Sequence, residues 1–396
     1  MQKTKTVLVI CRNHLNKAPR FLMEVNALWE SYNILAVGIS GDTHSKKYKF
    51  IPFDVIPKYL PINVSFHLKY PVLFRKFFSI LIQIIYYKRL NAEKLNAKRV
   101  YKLLMKHRFD VLIVHHFRDL PLAVKLAKAK NVKLIFNAHE YYPLEFDSNA
   151  DWMKKTHPLY IEIGNTYLKH IDACFCVGEK IAEKYKEEFG VDCIVITNSK
   201  PYKDLNPSEL RSSDKIKLVH HGAALRNRQI ELMIDLMNFL DEKYTLDLVL
   251  VPGDDTYISE LKFKASNNPR IQFPKSVSTE KISDFINQYD IGIYILPPLN
   301  FNDKYALPNK FFEFIQARLA LAISPSPEMK FLVDKYNLGV VSDDFTTQSL
   351  AAKISNLSFE QIMFYKNRVN HFCHELSAEN NEKMIKNTVD TLTKFN

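Results

Sequence analysis

The sequence predicts an α/β protein of two domains, each built on a doubly wound parallel sheet. The chain has 396 residues, more than one ordinary core accommodates, and 47% of them are apolar. Short, nearly uninterrupted apolar runs alternate with segments of helical period, which is typical of β-α-β units whose strands are buried on both faces. This alternation begins again after the middle of the chain, so we predict two sheets rather than one.

The first set of predicted strands lies in the N-terminal half of the chain. These strands are Thr6–Cys11, Ile34–Ile39, Val111–His115, Val132–Phe136 and Ala173–Val177. Predicted helices at Pro19–Glu30 and Leu120–Lys130 lie between them. We therefore assign residues 1–198 to an N-terminal domain.

The second set occupies the C-terminal half. Its predicted strands are Ile216–His220, Leu246–Val251, Ile291–Leu296 and Leu319–Ile323, and its predicted helices are Gln229–Leu240, Thr279–Tyr289 and Lys310–Ala317. Residues 199–214 are polar and contain proline and serine, as linkers do, and we place the second domain at 215–375. The remaining residues, 376–396, have helical period, and we predict a helix that could cross back to the N-terminal domain.

The charge and the cysteines bear on partners and compartment. A net charge of +12 suits an anionic partner, but the basic residues are spread along the chain, so a diffusely basic surface explains it equally well. The five cysteines include no C-x-x-C spacing and fit reduced thiols packed in a core. The N-terminal apolar run is too short for a signal peptide, and we expect a cytoplasmic protein.

One segment, residues 64–90, departs from the β-α-β pattern because it is aromatic and apolar with basic residues at its borders. An amphipathic helix of this kind could lie on the cytoplasmic face of a membrane. The alternative is an ordinary helix packed against the sheet. The longest uncharged run in this segment is shorter than the roughly 18 residues that a membrane-spanning helix requires.

Two motifs in the second half follow predicted strands, where ligands of parallel sheets bind. After Ile216–His220 comes HGAALRNR, in which Gly222 allows close backbone approach and Arg226 or Arg228 could contact a phosphate. The alternative is an ordinary strand-turn-helix with exposed arginines.

The other motif is ALPNKFFEF, at residues 306–314, where Pro308 suits the first turn of a helix. Lys310 and Glu313 are three residues apart and share a helix face. A lysine for phosphate and a carboxylate for two sugar hydroxyls would suit the two ends of a nucleoside diphosphate. The alternative is a simple ion pair on an exposed helix.

In the first half, His139 and Glu140 follow the predicted strand Val132–Phe136. They are candidates for a catalytic site, although a histidine in this place is also consistent with a capping or core residue. The loop from Arg12 to Arg20 contains no glycine. Asn13 and Arg20 in that loop are candidate contacts to a donor or an acceptor.

Metal binding is not expected from this sequence. His115 and His116 are adjacent, as are His220 and His221, and neighbours on a strand point to opposite faces, so neither pair could chelate one ion. The chain contains no Asp-x-Asp sequence. We predict that no metal and no other cofactor is required, and that cationic side chains and helix dipoles neutralise the phosphates.

The runs HHGAALRNR, VPGDD, DIGIYIL, LPNKFFEF and ISPSPEMKFLV occur in an order that resembles the donor-binding domain of retaining GT-B glycosyltransferases of family four. These enzymes act on polysaccharides and lipid-linked glycans. The resemblance covers most of the chain and implies two Rossmann-like domains facing a cleft. It further implies a nucleotide-sugar donor, with UDP the commonest nucleotide, and a glycan or lipid-linked acceptor bound by the N-terminal domain.

The resemblance also implies roles for individual residues. Arg228 and Lys310 would contact the diphosphate, and Glu313 would bind the ribose hydroxyls. Asn309 and Phe311 would lie along the diphosphate and sugar through their backbones. In the first half, His139 would bind the transferred sugar, and Glu140 or Glu145 would orient the acceptor.

Two positions depart from the family pattern. The first glutamate of the paired-glutamate motif would fall at Tyr305, and a basic residue usual after the glycine is Ala223. Arg226 could compensate for the latter.

Two other functions are compatible with the sequence. A GT-B-type nucleotide-sugar epimerase or hydrolase would release product without an acceptor. A non-catalytic basic protein would bind nucleic acid or membrane through interleaved aromatic and basic residues, a pattern that only 64–90 approaches. We therefore expect no nucleic-acid partner.

Overall fold

The structure is a computed structural model that describes residues 5–53, 97–210, 215–253 and 255–394. Segment 64–90, predicted to be helical, lies outside the described residues. Contacts divide the chain into two compact units. The first comprises Met1–Asn137, Ile163–Cys174 and Lys386–Asn396, and the second Ala138–Glu162 and Phe175–Ile385. The domain boundaries proposed from the sequence stay a prediction.

One sheet has seven strands: β1 (Thr6–Ile10), β2 (Asn33–Gly38), β3 (Lys49–Pro52), β4 (Val111–Val114), β5 (Lys133–Asn137), β6 (Ala173–Cys176) and β7 (Cys193–Val195). Their order is β3-β2-β1-β4-β5-β6-β7. The pairs within β1–β5 are parallel. An order that reverses direction beside β1 is that of a doubly wound sheet.

The other sheet has six parallel strands: β8 (Ile216–Ala223), β9 (Tyr244–Val251), β10 (Ile271–Gln272), β11 (Ile291–Tyr294), β12 (Ala320–Ile323) and β13 (Gly339–Val341). Its order, β10-β9-β8-β11-β12-β13, repeats the doubly wound pattern. The prediction of two parallel sheets is therefore confirmed.

Helices connect the strands. The α-helices are Pro19–Leu28, Leu120–Lys130, Ala150–Lys155, His157–Tyr167, Glu179–Phe189, Glu231–Leu236, Asp255–Ala265, Ile282–Ile286, Phe301–Lys304, Asn309–Gln316, Pro327–Tyr336, Thr347–Ser355, Phe359–Phe372 and Ala378–Lys394, and residues 97–104 are also helical. Short 3₁₀ turns are at Leu15–Lys17, Phe117–Asp119, Tyr142–Leu144, Leu168–His170, Arg226–Arg228, Met237–Phe239 and Thr279–Lys281. Within the described ranges, no helix combines the length and the apolar character needed to cross a bilayer.

The strands of the second sheet are buried on both faces. Leu218 and Leu248 belong to one apolar cluster, whereas their sequence neighbours Val219 and Val249 belong to another. Successive side chains of a strand point to opposite faces, so each strand contributes to both clusters. This burial explains why the strands appear in the sequence as continuous apolar runs rather than as alternating patterns.

Gly292 in β11 allows the helix Asn309–Gln316 to lie close to the sheet. A Cβ atom at this position would be 2.5–2.8 Å from ring atoms of Phe314, which is fully buried on that helix. Real carbon atoms do not approach so closely, and a ring packed in the core has little room to move. The small size of Gly292 therefore fixes the distance between this helix and the sheet.

We predict that Gly292→Ala lowers the free energy of unfolding by about 1–3 kcal/mol, because the added methyl group overpacks the core against Phe314. Chemical denaturation followed by circular dichroism measures this change. Adding Phe314→Leu should recover part of the loss. Gly190→Asn is the control. Gly190 follows the helix Glu179–Phe189 in a left-handed conformation, which asparagine tolerates, and no atom lies near the added Cβ. This substitution should change the free energy of unfolding little. An unchanged stability in Gly292→Ala would contradict the packing argument.

Candidate functional site

A cavity of about 560 Å³ lies in the second unit, at the carboxyl ends of β8 and β9. All of its lining residues belong to that unit. The lining includes most of the residues singled out in the sequence: His139, Glu140, Gly222, Arg228, Asn309, Lys310 and Glu313. Segments far apart in the chain are thus brought together around one space.

Arg226 is not among the lining residues. Its guanidinium donates to both carboxylate oxygens of Glu260 at 2.7 Å and lies over the ring of Tyr257. Arg226 and Arg228 are the two ends of a 3₁₀ turn, in which residues two apart point in different directions. The turn therefore directs only Arg228 to the cavity.

Phe311 and Glu145 also lie outside the lining. Phe311 is buried, and its backbone N–H donates to the carbonyl of Pro308 at 3.1 Å. That N–H, which was predicted to lie along a diphosphate, is used within the helix. Glu145 reaches the site indirectly, through a hydrogen bond to the side chain of Glu140.

Asn13 and Arg20 belong to the first unit. The side-chain oxygen of Asn13 accepts a hydrogen bond from the backbone N–H of His14 at 2.8 Å. Arg20 is buried and donates to Asn137 Oδ1 from two nitrogens, at 2.9 and 2.6 Å. Asn137 in turn donates to Glu24 at 2.5 Å. Arg20 is therefore a member of a buried polar network.

His115 completes this network. Its Nε2 lies 2.8 Å from Glu24 Oε2, and both side chains are fully buried. Burial lowers the pKa of His115, but the charge of Glu24 and the contact with Cys11 outweigh it and raise the pKa to about 10. The raised pKa favours the charged form of His115 beside Glu24, and the pair is part of the buried polar network.

Lys310 is, with Arg228, one of the cationic side chains that line the cavity near β8. Its Nζ is 2.9 Å from Nε2 of His220 and 4.1 Å from the centre of the Tyr294 ring. Nδ1 of His220 lies 3.1 Å from the carbonyl oxygen of Ile293. Because a carbonyl only accepts, Nδ1 carries the hydrogen and Nε2 accepts a hydrogen bond from Lys310.

Arg228 approaches the same tyrosine. One of its guanidinium nitrogens donates to the Tyr294 hydroxyl at 3.2 Å. Tyr294 thus holds one cation on its ring and another on its hydroxyl. Neither Tyr294 nor His220 was predicted from the sequence as a site residue. Both stand in strands at or near the carboxyl ends, and that position could have identified them.

Lys310 and Arg228 lie close enough to affect each other electrostatically, and the carboxylates of Glu313 and Asp303 offset their charges only from a distance. Burial lowers the pKa of Lys310, the charge of Arg228 lowers it further, and Glu313 raises it in part, so that it is well below its usual value. Among the described residues no carboxylate forms an ion pair with Lys310 or Arg228. Such an arrangement is suited to an anion with two adjacent charges.

Gly222 is the second-to-last residue of β8 and lies beside Lys310. Its φ is +126°, a backbone conformation that residues with a Cβ rarely adopt. A Cβ at this position would lie 3.6 and 3.7 Å from Cε and Nζ of Lys310. The backbone conformation, more than the available space, therefore requires glycine here.

Glu313 contributes a carboxylate to the cavity lining. Its Oε1 is 3.2 Å from Nζ of Lys200, and its Oε2 is 3.6 Å from Nε2 of His221. Glu313 and His221 are both buried. Lys200 lies in the segment predicted to be a linker, where residues 196–210 form neither helix nor strand.

The helix Asn309–Gln316, which carries Lys310 and Glu313, is held at its C-terminal end by Arg318. This buried guanidinium donates to the carbonyl of Gln316 at 2.7 Å, to that of Lys203, and to Asn370 Oδ1 at 2.8 Å. A cation at the C-terminus also interacts favourably with the helix dipole. Arg318 thereby fixes the helix that carries the site.

Glu140 and His139 also line the cavity. Burial raises the pKa of Glu140 to about 8, helped by the charge and hydrogen bond of Glu145 and by the charge of Asp303. Two neighbouring carboxyl groups that share a proton behave in this way. Glu140 can therefore exchange a proton near neutral pH.

The segment that carries Glu140 is joined to the segment that carries Asp303. The backbone N–H of Tyr141 donates to Asn302 Oδ1 at 2.8 Å, and Asn302 Nδ2 donates back to the Tyr141 carbonyl at 3.2 Å. Tyr305, which stands where the family pattern has its first glutamate, packs against Phe301 with ring centres 4.8 Å apart. These contacts hold the acidic wall of the cavity in place.

Within the part of the chain that the structure describes, no group of three or more histidine, cysteine, aspartate or glutamate side chains is arranged to hold a metal ion. Metal independence stays a prediction.

Comparison with known proteins supports a fold and an enzyme class. Residues 71–199 match the family model Glycosyltransferase Family 4, which covers less than half of the chain. No curated protein matches the chain in sequence.

Solved structures with the same fold include HepE from Anabaena in complex with UDP, 11% identical over 98% of this chain and 100% of that one, with a TM-score of 0.70. Sucrose-phosphate synthase from Thermosynechococcus elongatus is 13% identical over 99% and 100%, with a TM-score of 0.71. A glycosyltransferase from Rickettsia africae is 12% identical over 99% of each chain, with a TM-score of 0.67. At these identities the similarity is one of fold.

We predict that the amine of Lys310 deprotonates at lower pH than ordinary lysines, since burial and the charge of Arg228 both disfavour its ammonium form. Pulsed acylation at a series of pH values, read by mass spectrometry, gives the midpoint for each lysine. The midpoint for Lys310 should lie below the median of the exposed lysines and should rise in Arg228→Leu. A midpoint for Lys310 equal to that median, or unchanged in Arg228→Leu, would contradict the described electrostatics.

The predicted fold class is confirmed as GT-B, with two Rossmann-like parallel sheets. With the family 4 match, this fold identifies the chain as a glycosyltransferase enzyme.

Proposed function

We propose that the protein transfers a sugar from a nucleoside diphosphate donor, with UDP as its nucleotide, to a glycan or lipid-linked acceptor in the synthesis of surface polysaccharide or glycoconjugate. The observation that carries this proposal is the placement of Lys310 and Arg228 beside Glu313 in one cavity. The two cations suit a diphosphate, and the carboxylate suits a vicinal diol. Both kinds of group are present in a nucleotide sugar.

The diphosphate would lie against Lys310, Arg228 and the N-terminal end of the helix Asn309–Gln316. Backbone N–H groups in the first turn of a helix, together with its dipole, favour anions. Asn309 lines the cavity at that end. HepE, which has this fold, was solved with UDP and with UDP-glucose, and this supports UDP as the nucleotide.

The ribose would lie at Glu313. A carboxylate accepts hydrogen bonds from two neighbouring hydroxyls, and Lys200 at 3.2 Å orients the side chain of Glu313. The distance along the helix from Lys310 to Glu313 is one turn, which suits a phosphate and a ribose of the same nucleotide.

During transfer, the bond between the anomeric carbon and the diphosphate breaks, and a bond to the acceptor oxygen forms. The departing diphosphate gains negative charge, so fixed cations stabilise it more in the transition state than in the ground state. The acceptor hydroxyl would give its proton to the Glu140–Glu145 pair, and His139 would bind the transferred sugar. Retention of the anomeric configuration is proposed from the resemblance to family four.

A lipid-linked acceptor would bring the protein to the cytoplasmic face of a membrane. Segment 64–90, for which a membrane contact and an ordinary packed helix were the two alternatives, lies outside the described residues and does not enter this proposal.

We predict that Arg228→Ala and Glu313→Ala each weaken UDP binding by about tenfold or more, because each removes a charged hydrogen-bonding partner. Isothermal titration calorimetry with excess chelator measures the affinity. Arg226→Ala is the matched control and should stay within about twofold of the wild type, since Arg226 is paired with Glu260 outside the cavity lining.

Normal UDP affinity in both cavity variants would contradict the donor site. Release of free sugar from UDP-sugars with no acceptor, and no transfer when glycans are supplied, would instead favour an epimerase or hydrolase.

We predict that Glu140→Gln lowers kcat by about 100-fold while UDP affinity changes little, because it removes the proton acceptor and not the donor contacts. Since the pKa of Glu140 is raised to about 8 and the carboxylate is the active form, the wild-type rate should rise with pH up to about 8. Glu145→Gln removes the neighbouring charge, so the profile should shift to lower pH. A fully active Glu140→Gln would contradict this role.

A further inference from the structure

The side chain of His221 lines the cavity and is buried, yet its Nε2 has no hydrogen-bond partner among the described residues. Buried polar groups are normally paired, because an unpaired one has lost its hydrogen bonds to water without replacement. An unpaired nitrogen on a side chain that lines a ligand cavity points to a partner that the bound ligand supplies. His221 was considered from the sequence only as half of a histidine pair, and no function was assigned to it.

The surroundings of His221 define what that partner is. Nε2 lies 3.6 Å from Oε2 of Glu313, which is too long for a hydrogen bond. The ring is fixed by Phe314, which packs edge-on with ring centres 5.1 Å apart. A small polar group bound beside the Glu313 carboxylate could therefore contact both side chains.

The chemistry of the ring indicates a hydroxyl. Burial lowers the pKa of His221 well below its usual value, and the charges of Lys310 and Lys200 lower it further, so the ring is neutral. A neutral imidazole has one N–H and one lone pair. A hydroxyl can both donate and accept, and it pairs with Nε2 in either tautomer, whereas a phosphate can only accept and would depend on one tautomer.

We propose that His221 is a specificity-determining residue that binds a ribose hydroxyl of the donor together with Glu313 and so selects ribonucleotides over 2′-deoxyribonucleotides. This rests on the proposed function, in which the ribose lies at Glu313. A ribose presents two neighbouring hydroxyls, one for each carboxylate oxygen, and His221 pairs with the 2′-hydroxyl. A deoxyribose leaves a buried polar group unpaired, which is penalised more strongly than a missing apolar contact.

The test compares the affinities of UDP and 2′-deoxy-UDP by calorimetry for the wild type, His221→Leu, His221→Gln and the control His170→Leu. His170 is an exposed histidine of the first unit and does not line the cavity. The quantity of interest is the ratio of the two affinities within each protein. Any general effect of a substitution on folding or on the cavity cancels in that ratio.

The wild type and His170→Leu should prefer UDP by about tenfold or more. In His221→Leu the preference should fall by about fivefold, through weaker UDP binding with little change for 2′-deoxy-UDP. His221→Gln keeps a hydrogen-bonding amide and should be intermediate, and it serves as the test if the leucine variant does not fold.

A preference unchanged in both His221 variants would overturn the role of His221 and leave the donor site intact. Absence of UDP binding in the wild type would overturn the donor assignment and, with it, this inference.

Discussion

The site depends on one electrostatic constraint: Lys310 and Arg228 are held together, and no carboxylate of the described residues is in ion-pair contact with either of them. Like charges at close range repel, and burial makes each of them less favourable. Tyr294 offsets part of this cost through its ring and hydroxyl, and His220 offsets another part by accepting a hydrogen bond from Lys310. Glu313 and Asp303 reduce the repulsion from a distance, and a bound anion would reduce it further, so the site suits a ligand that carries adjacent negative charges.

Several features of the fold follow from the need to place these side chains. Gly222 gives the end of β8 a backbone conformation that only glycine readily adopts, Gly292 brings the helix Asn309–Gln316 against the sheet, and Arg318 fixes the far end of that helix. Gly292 and Arg318 act through the position of the same helix, which carries both the phosphate-binding and the diol-binding candidates. Stability and function are thereby coupled, because a change that loosens this helix displaces Lys310 and Glu313 together.

The sequence predicts the interior of the fold better than its borders. The central strands are long apolar runs and were all recognised, whereas β3, β7, β10 and β13 were missed. These four are the outermost strands of their sheets, and outer strands are short and need not be apolar on both faces. The site divides in a similar way. Lys310, Glu313 and Arg228 follow strands in recognisable motifs, and the structure brings them together. The pairing of Arg226 with Glu260, and the contacts of His220, His221 and Tyr294, depend on side chains from different strands and could not be predicted from spacing along the chain.

Whether the cationic pair binds a sugar nucleotide is the central question. A crystal structure of the complex with UDP tests it most directly. The account predicts both phosphates within hydrogen-bonding distance of Lys310 and Arg228, with the ribose hydroxyls at Glu313. A nucleotide bound elsewhere, with these three side chains unoccupied, would contradict it.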